Sequence, residues 1–181
     1  MIGTGNGLGT LLRKLYFYCL PTCSMRSRYI KKHEYMFHHV GEHVMWQPRQ
    51  FPADPELISI GDNVKLAANV SFTNHDILYG LFNCKYHTDE FKKHQGCIQI
   101  GDNVMIGANT MILPNVLIGN NVVVGGGSII TKDIPDNCVA AGVPCRVIGS
   151  FEDIEKKYRK IEFFESPGEY WEAFNKKRIK D

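Results

Sequence analysis

From Ile100 to Pro135 the chain repeats itself every six residues. The units are Ile-Gly-Asp-Asn-Val-Met from Ile100, Ile-Gly-Ala-Asn-Thr-Met from Ile106, Ile-Leu-Pro-Asn-Val-Leu from Ile112 and Ile-Gly-Asn-Asn-Val-Val from Ile118. Val-Gly-Gly-Gly-Ser-Ile from Val124 and Ile-Thr-Lys-Asp-Ile-Pro from Ile130 follow. A branched aliphatic opens each unit, the second position is mostly glycine, and the fourth is Asn103, Asn109, Asn115, Asn121 and then Gly127. An amphipathic helix repeats its apolar face about every 3.6 residues and a half-buried strand every two, so neither produces this pattern. A short β-branched strand followed by a tight corner does, because Asn and Gly accept the left-handed backbone that such a corner needs. One such strand cannot bury its apolar face alone, so the units must stack on one another.

The same frame appears earlier. Ile60 opens Ile-Gly-Asp-Asn-Val-Lys, Leu66 opens Leu-Ala-Ala-Asn-Val-Ser, and Val40 to Val44 reads as a first, degenerate coil. Between Ile77 and Gly96 the period fails, leaving a polar segment that carries Tyr79, Phe82, His87, Lys93 and His94. Such an interruption leaves a solenoid as a surface loop and often supplies a binding wall. Before the coils, Thr10–Cys19 and Ser24–His38 read as helical stretches separated at Pro21. After them, Phe151–Ile161 and Pro167–Lys180 read as helices that cap the open end. The expected division is an N-terminal helical and basic segment over 1–39, a repeat domain over 40–149 with a protruding loop over 77–97, and a C-terminal helical cap over 150–181.

The net charge of +2 argues against a general nucleic-acid binder. Six cysteines without a CxxC pair read as reduced thiols, which suits a cytoplasmic protein better than a disulfide framework or a zinc site. No stretch is a transmembrane helix or a convincing signal peptide. The glycines Gly3, Gly5 and Gly7 lack the preceding strand of a nucleotide-binding fingerprint. Residues 10–32 mix basic and aromatic side chains; they read first as a helical cap, and they would also suit weak association with the inner membrane surface.

The repeats, together with Thr131-Lys132-Asp133-Ile134-Pro135-Asp136-Asn137 and Ala141-Gly142-Val143-Pro144-Cys145-Arg146-Val147-Ile148-Gly149, resemble the hexapeptide-repeat acyltransferases, most of all the maltose, galactoside and polysaccharide O-acetyltransferase group. The likeness covers roughly residues 58–149. It implies an all-β solenoid, a left-handed parallel β-helix, assembled as a homotrimer with its sites at subunit interfaces. It implies acetyl-CoA as cosubstrate, no metal, and a carbohydrate acceptor.

Residue by residue, the resemblance puts the general base at His75, just before the loop. Imidazole suits the work, since its ordinary pKa near neutrality lets it take a proton and pass it on. Asn74, Asp76, Tyr79 and His87 become candidate acceptor contacts, with turn or loop roles as the alternative. A direct Asp76–His75 pair is disfavoured because neighbours in an extended chain point apart, which leaves Glu42 and Asp54 as candidate partners for the ring. Gly107, Ala108, Gly125 and Gly126 supply small side chains where the pantetheine arm would run, and each glycine could equally be a corner residue. Lys132, Pro144 and Arg146 belong to the closing motif near the nucleotide end, where the two cations could meet phosphates. Cys145 reads as a packing residue. The same fold also admits N-acetylation of an amino sugar, acetylation of a drug or of serine, or a non-catalytic scaffold. A carbonic-anhydrase-like solenoid would need several histidines on neighbouring coils, and residues 98–148 contain none.

Overall fold

The computed structural model describes residues 7–178. The first coil has two strands, β1 (His39–Val40) and β2 (Met45–Trp46). The second has three: β3 (Ile58–Ile60), β4 (Lys65–Leu66) and β5 (Ser71–Phe72). Next come β6 (Ile98–Ile100), β7 (Val104–Ile106) and β8 (Met111–Ile112), then β9 (Val116–Ile118), β10 (Val122–Val124) and β11 (Ile129–Ile130). The chain closes with β12 (Cys138–Ala141) and β13 (Arg146–Ser150). Strands β1 to β12 pair in parallel with their counterparts one coil away, and with β13 added to the second they give three faces ordered β1-β3-β6-β9, β2-β4-β7-β10-β12-β13 and β5-β8-β11. The result is a three-faced parallel β-helix: the six-residue period predicts the stacked strands and corners, and the family resemblance implies the three faces.

Stacking explains the motif letter by letter. Positions one and five point inward, so Ile60, Ile100 and Ile118 form one register column and Leu66, Ile106 and Val124 another, all essentially buried. Burying each such side chain is worth about 1.5–3 kcal/mol. Asn63, Asn69, Asn103, Asn109, Asn115, Asn121 and Asn137 hold the corners with φ between 53° and 60°, and His43 fills the equivalent place in the first coil at φ 57°. The corner amides also bond coil to coil: Asn63 Nδ2 donates to Asn103 Oδ1 at 2.9 Å, Asn103 to Asn121 at 3.1 Å and Asn121 to Asn137 at 2.8 Å.

The second and third positions are coupled. Asp102 Oδ1 accepts from the Asp62 N–H at 2.7 Å, and Asn120 and Asp136 do the same for the coils before them. That side chain occupies the space a Cβ would need at the preceding coil's glycine, whether Gly61, Gly101 or Gly119. The glycine N–H meanwhile donates to the next coil: Gly41 to Ile60 O, Gly61 to Ile100 O, Gly101 to Ile118 O and Gly119 to Ile134 O, all at 2.8–2.9 Å.

The frame slips once. Ile134, expected at position five, bridges Ile118 in parallel and so opens a unit, Ile-Pro-Asp-Asn-Cys-Val from Ile134. The unit at Ile130 is therefore two residues short. Beyond it β12 pairs antiparallel with β13, so the last partial coil turns back instead of winding on.

Helices close both ends. Phe17 and Leu20 of α1 (Gly7–Cys19) and its junction, with Tyr29 and Ile30 of α2 (Cys23–Lys32), bury against Trp46. Phe17, Tyr29, Phe37, Trp46 and Phe51 form an aromatic plug with ring centroids 5.3–6.5 Å apart. Ser27 Oγ accepts from the Trp46 N–H at 2.8 Å, satisfying a donor on the outermost strand. The glycines of residues 1–6 lie outside the described residues. Two features differ from expectation. The segment after Ile77 contains a helix, α3 (Leu78–Tyr86), which a search for the six-residue period passes over. At the C-terminus, α4 (Phe151–Tyr158), capped by Ser150, lies against β12 and β13 as a cap should, whereas α5 (Pro167–Arg178) buries none of its residues. Tyr170, Trp171 and Phe174 on α5 remain exposed.

Candidate active site

His75 stands where the coil ends and the inserted segment begins. β5 runs on through Thr73, whose N–H donates to Ile112 O at 2.9 Å. The insertion is then pinned at its neck: Gly96 N donates to Asn74 O at 2.7 Å, Asn74 Nδ2 donates to Gly96 O at 3.1 Å, and His75 bridges Gln95. Asn74 is 2% exposed, so its amide holds the neck, and its Oδ1 is buried without a partner. A side chain on Gly96 would run into Asn115 of the next coil, which explains the glycine.

The imidazole has a carboxylate partner. Asp54 sits just before a short 3-10 turn (Pro55–Leu57), and its Oδ2 lies 2.6 Å from His75 Nδ1. Both side chains are partly open, at 29% for His75 and 15% for Asp54. A carboxylate can only accept here, so Nδ1 carries the hydrogen and Nε2 keeps its lone pair as the acceptor of a substrate proton. Lys93 from the insertion reaches 3.8 Å from the other Asp54 oxygen, a contact that nothing in the sequence singles out. Glu42, the other candidate carboxylate, pairs with Lys31 at 2.9 Å.

The remaining acceptor candidates lie on the insertion. Asp76 Oδ1 accepts from Leu78 N at 3.0 Å and starts α3. Tyr79 lies half-buried on that helix, and His87 ends it in a left-handed conformation at φ 50°. Asn83 clamps the segment by donating to Phe91 O at 2.9 Å and accepting from Phe91 N at 3.0 Å, while Phe82 packs on Phe91 at 5.2 Å. These contacts tie the insertion to itself on the surface.

The small residues gather at one corner on successive coils. Gly107 N donates to Val124 O and Gly127 N to Ala108 O, so Gly107-Ala108 stacks on Gly125-Gly126-Gly127. A Cβ at Gly107 would strike the Gly126 backbone, and one at Gly125 would come within 2.9 Å of Ala141 Cβ. Coil packing therefore demands these glycines; Gly107 is itself buried, and the exposed main chain at the corner is that of Gly126 and Gly127. Lys132, Pro144 and Arg146 are exposed nearby in sequence, with Arg146 Nη1 donating to Cys145 O at 2.8 Å. Cys145 is buried, and burial pushes its thiol pKa up, which disfavours the nucleophilic thiolate. Among the described residues no group of three or more potential ligands could hold a metal.

Stacked hexapeptide coils with a histidine at the mouth of an inserted segment define a class of transferase, and comparison with known proteins agrees. Residues 97–132 match the family described as bacterial transferase hexapeptide (six repeats), and 58–74 match the hexapeptide repeat of succinyl-transferase. A crystal structure of a maltose O-acetyltransferase from Clostridium difficile 630 is 30% identical, covers 76% of this chain and 81% of its own, and superposes with a TM-score of 0.56. A galactoside acetyltransferase in complex with coenzyme A is 29% identical over 92% of this chain and 91% of its own, with a TM-score of 0.57. The galactoside O-acetyltransferase of Escherichia coli K12 is 43% identical over 107 residues, which is 58% of this chain and 50% of that one. The chain belongs to the hexapeptide-repeat acetyltransferase family. It spans about half the length of the curated relatives it matches.

Proposed function

We propose that this protein transfers an acetyl group from acetyl-CoA to a hydroxyl of a carbohydrate acceptor, with His75 as general base. The observation that carries this reading is the 2.6 Å contact of His75 Nδ1 with Asp54, which occupies that nitrogen and leaves Nε2 to act as the base. Acetyl-CoA supplies the acetyl group as a thioester. His75 Nε2 removes the hydroxyl proton as the acceptor oxygen bonds to the acetyl carbon and the carbon–sulfur bond breaks. The imidazolium, steadied by Asp54, returns the proton to the departing thiolate, so the ring is neutral before and after. No acyl-enzyme is needed, which suits the buried Cys145.

The bare corner of Gly107, Ala108, Gly125 and Gly126 is the surface along which the pantetheine arm lies in this reading, with Lys132, Pro144 and Arg146 towards the phosphates and Asp76, Tyr79 and His87 towards the acceptor. The active form is a homotrimer with its sites between subunits. The outward column on one face runs Met45, Lys65, Met105, Val123 and Val139, and its apolar stretch from Met105 to Val139 supports such packing against a second copy. Among the described residues no helix is long and apolar enough to cross a membrane. Leu11, Leu12 and Leu15 face outward on α1 beside Arg13 and Lys14, which supports weak attachment to the cytoplasmic membrane surface and an acceptor made there, a polysaccharide precursor.

The test is thiol release from acetyl-CoA across sugars, glycan fragments and amines, with the product identified by mass, for the intact protein and His75→Ala. Acceptor-dependent release that collapses in the variant is expected. Undiminished release by the variant would remove His75 from the mechanism, and a preference for amines would replace the hydroxyl.

A further inference from the structure

A cleft of about 400 Å³ opens beside the His75–Asp54 pair, between α1 and the coil that carries β5. Lys14 and Tyr18 of α1, Arg49, Gln50, Ala53 and Ser71 are among the residues that line it. Ala53 immediately precedes Asp54. Ser71 lies four residues before His75, with the end of β5 and the buried Asn74 between them. At about 3.3 Å per residue, four residues span at most roughly 13 Å, so the cleft's edge and the imidazole lie within the reach of one small glycan.

The charge of this cleft is one-sided. Lys14 and Arg49 line it, and no acidic side chain does among the described residues. Arg49 Nη1 touches only the Tyr18 carbonyl, at a long 3.5 Å, so most of its donor fork has no protein partner among the described residues. A third cation lies close behind. Arg26 is 6% exposed, donates to Leu20 O at 2.6 Å, has no carboxylate partner among the described residues and leaves Nε unpaired. Burial first, then the nearby charge of Arg49, lowers its pKa. Clustered cations around a buried guanidinium repel one another, and a bound anion offsets that repulsion while filling the open fork of Arg49.

We propose that this cleft binds a phosphate or diphosphate carried by the acceptor, so that the hydroxyl offered to His75 belongs to a phosphorylated carbohydrate. The substrate half of this inference rests on the acetyl-transfer reading, whereas the binding half is measurable without turnover.

Calorimetric titration of the full chain with methyl glucoside, glucose 1-phosphate, uridine-diphosphate glucose and a short-chain polyprenyl diphosphate glucose in micelles is the experiment. The phosphorylated probes should bind at least about tenfold more tightly than methyl glucoside, and Arg49→Ala or Lys14→Ala should weaken them by roughly ten- to hundred-fold, with partial recovery in Arg49→Lys. Whichever carrier binds best names the source of the phosphate. His75→Ala should bind the probes as the parent does while releasing no thiol, so a failure of catalysis and a failure of this site are told apart. Equal binding of neutral and phosphorylated sugars, or indifference to Arg49→Ala, would overturn the proposal. So would displacement of the probes by coenzyme A together with an equal loss of coenzyme A affinity in Arg49→Ala, since the cleft would then serve the coenzyme.

Discussion

The coils before the insertion and those after it follow one stacking rule and do different work. From Ile98 to Ile130 the faces are complete, the corners are Asn or Gly, and side chains lock each coil to the next. From His39 to His75 the register is the same, but the first coil lacks its third strand, a histidine takes a corner, and aromatic rings from two helices fill the end. Asp54 and His75 both sit in this less regular half, on the connections rather than on the strands. Irregularity is where a solenoid can aim a side chain, because a fully stacked corner has every backbone and side-chain contact already spoken for.

If that contrast is right, His75→Ala should cost about 10²–10⁴-fold in acetyl transfer with little change in melting temperature. Turnover at the parent rate would break the comparison at its functional end. Ile106→Ala, in the regular half, should cost about 2–5 kcal/mol, read as a lower urea midpoint, while coenzyme binding persists wherever the chain remains folded. Asp54→Asn keeps the shape and removes the charge that steadies the imidazolium, so turnover should fall by more than about tenfold, but less than in His75→Ala. A larger loss of stability than of rate would reassign Asp54 to the fold. Asn103→Ala should lose about 1–2 kcal/mol, because alanine is strained at φ 56° and the corner bonds to Asn63 and Asn121 go, whereas Asn103→Gly should lose less. Smallest is a difference in labelling rate: at neutral pH alkylation should reach the exposed Cys84 and Cys97 well before Cys145, whose raised pKa keeps it as the thiol. Equal rates would mean that the final hairpin opens easily.

The stacked fold was legible because each of its requirements leaves a letter in the sequence: the isoleucine for the interior, the glycine for the next coil's aspartate, the asparagine for the corner. The slip at Ile130 was not legible, since Ile-Thr-Lys-Asp-Ile-Pro continues the spacing of apolar residues while the backbone skips two places. His75 stood out through the family likeness, and nothing local to it in the sequence identified Asp54, 21 residues upstream; only winding the chain around a coil brings them together. Helix α3 left little trace because its apolar residues do not gather on one buried face: Leu78 and Leu81 are exposed.

The forward hydrogen bond of the second position also settles how long the solenoid is. Each coil whose second residue has an N–H presents a donor that the next coil can accept, and Gly41, Gly61, Gly101 and Gly119 each find one. In the unit that opens at Ile134 the second residue is Pro135, which has no N–H to offer. That face of the stack ends on a ring instead of a waiting donor, so it gives an incoming strand, from this chain or another, less to hold. Proline acts here as a stop codon written in backbone chemistry: the number of coils is counted by the one residue that cannot ask for the next.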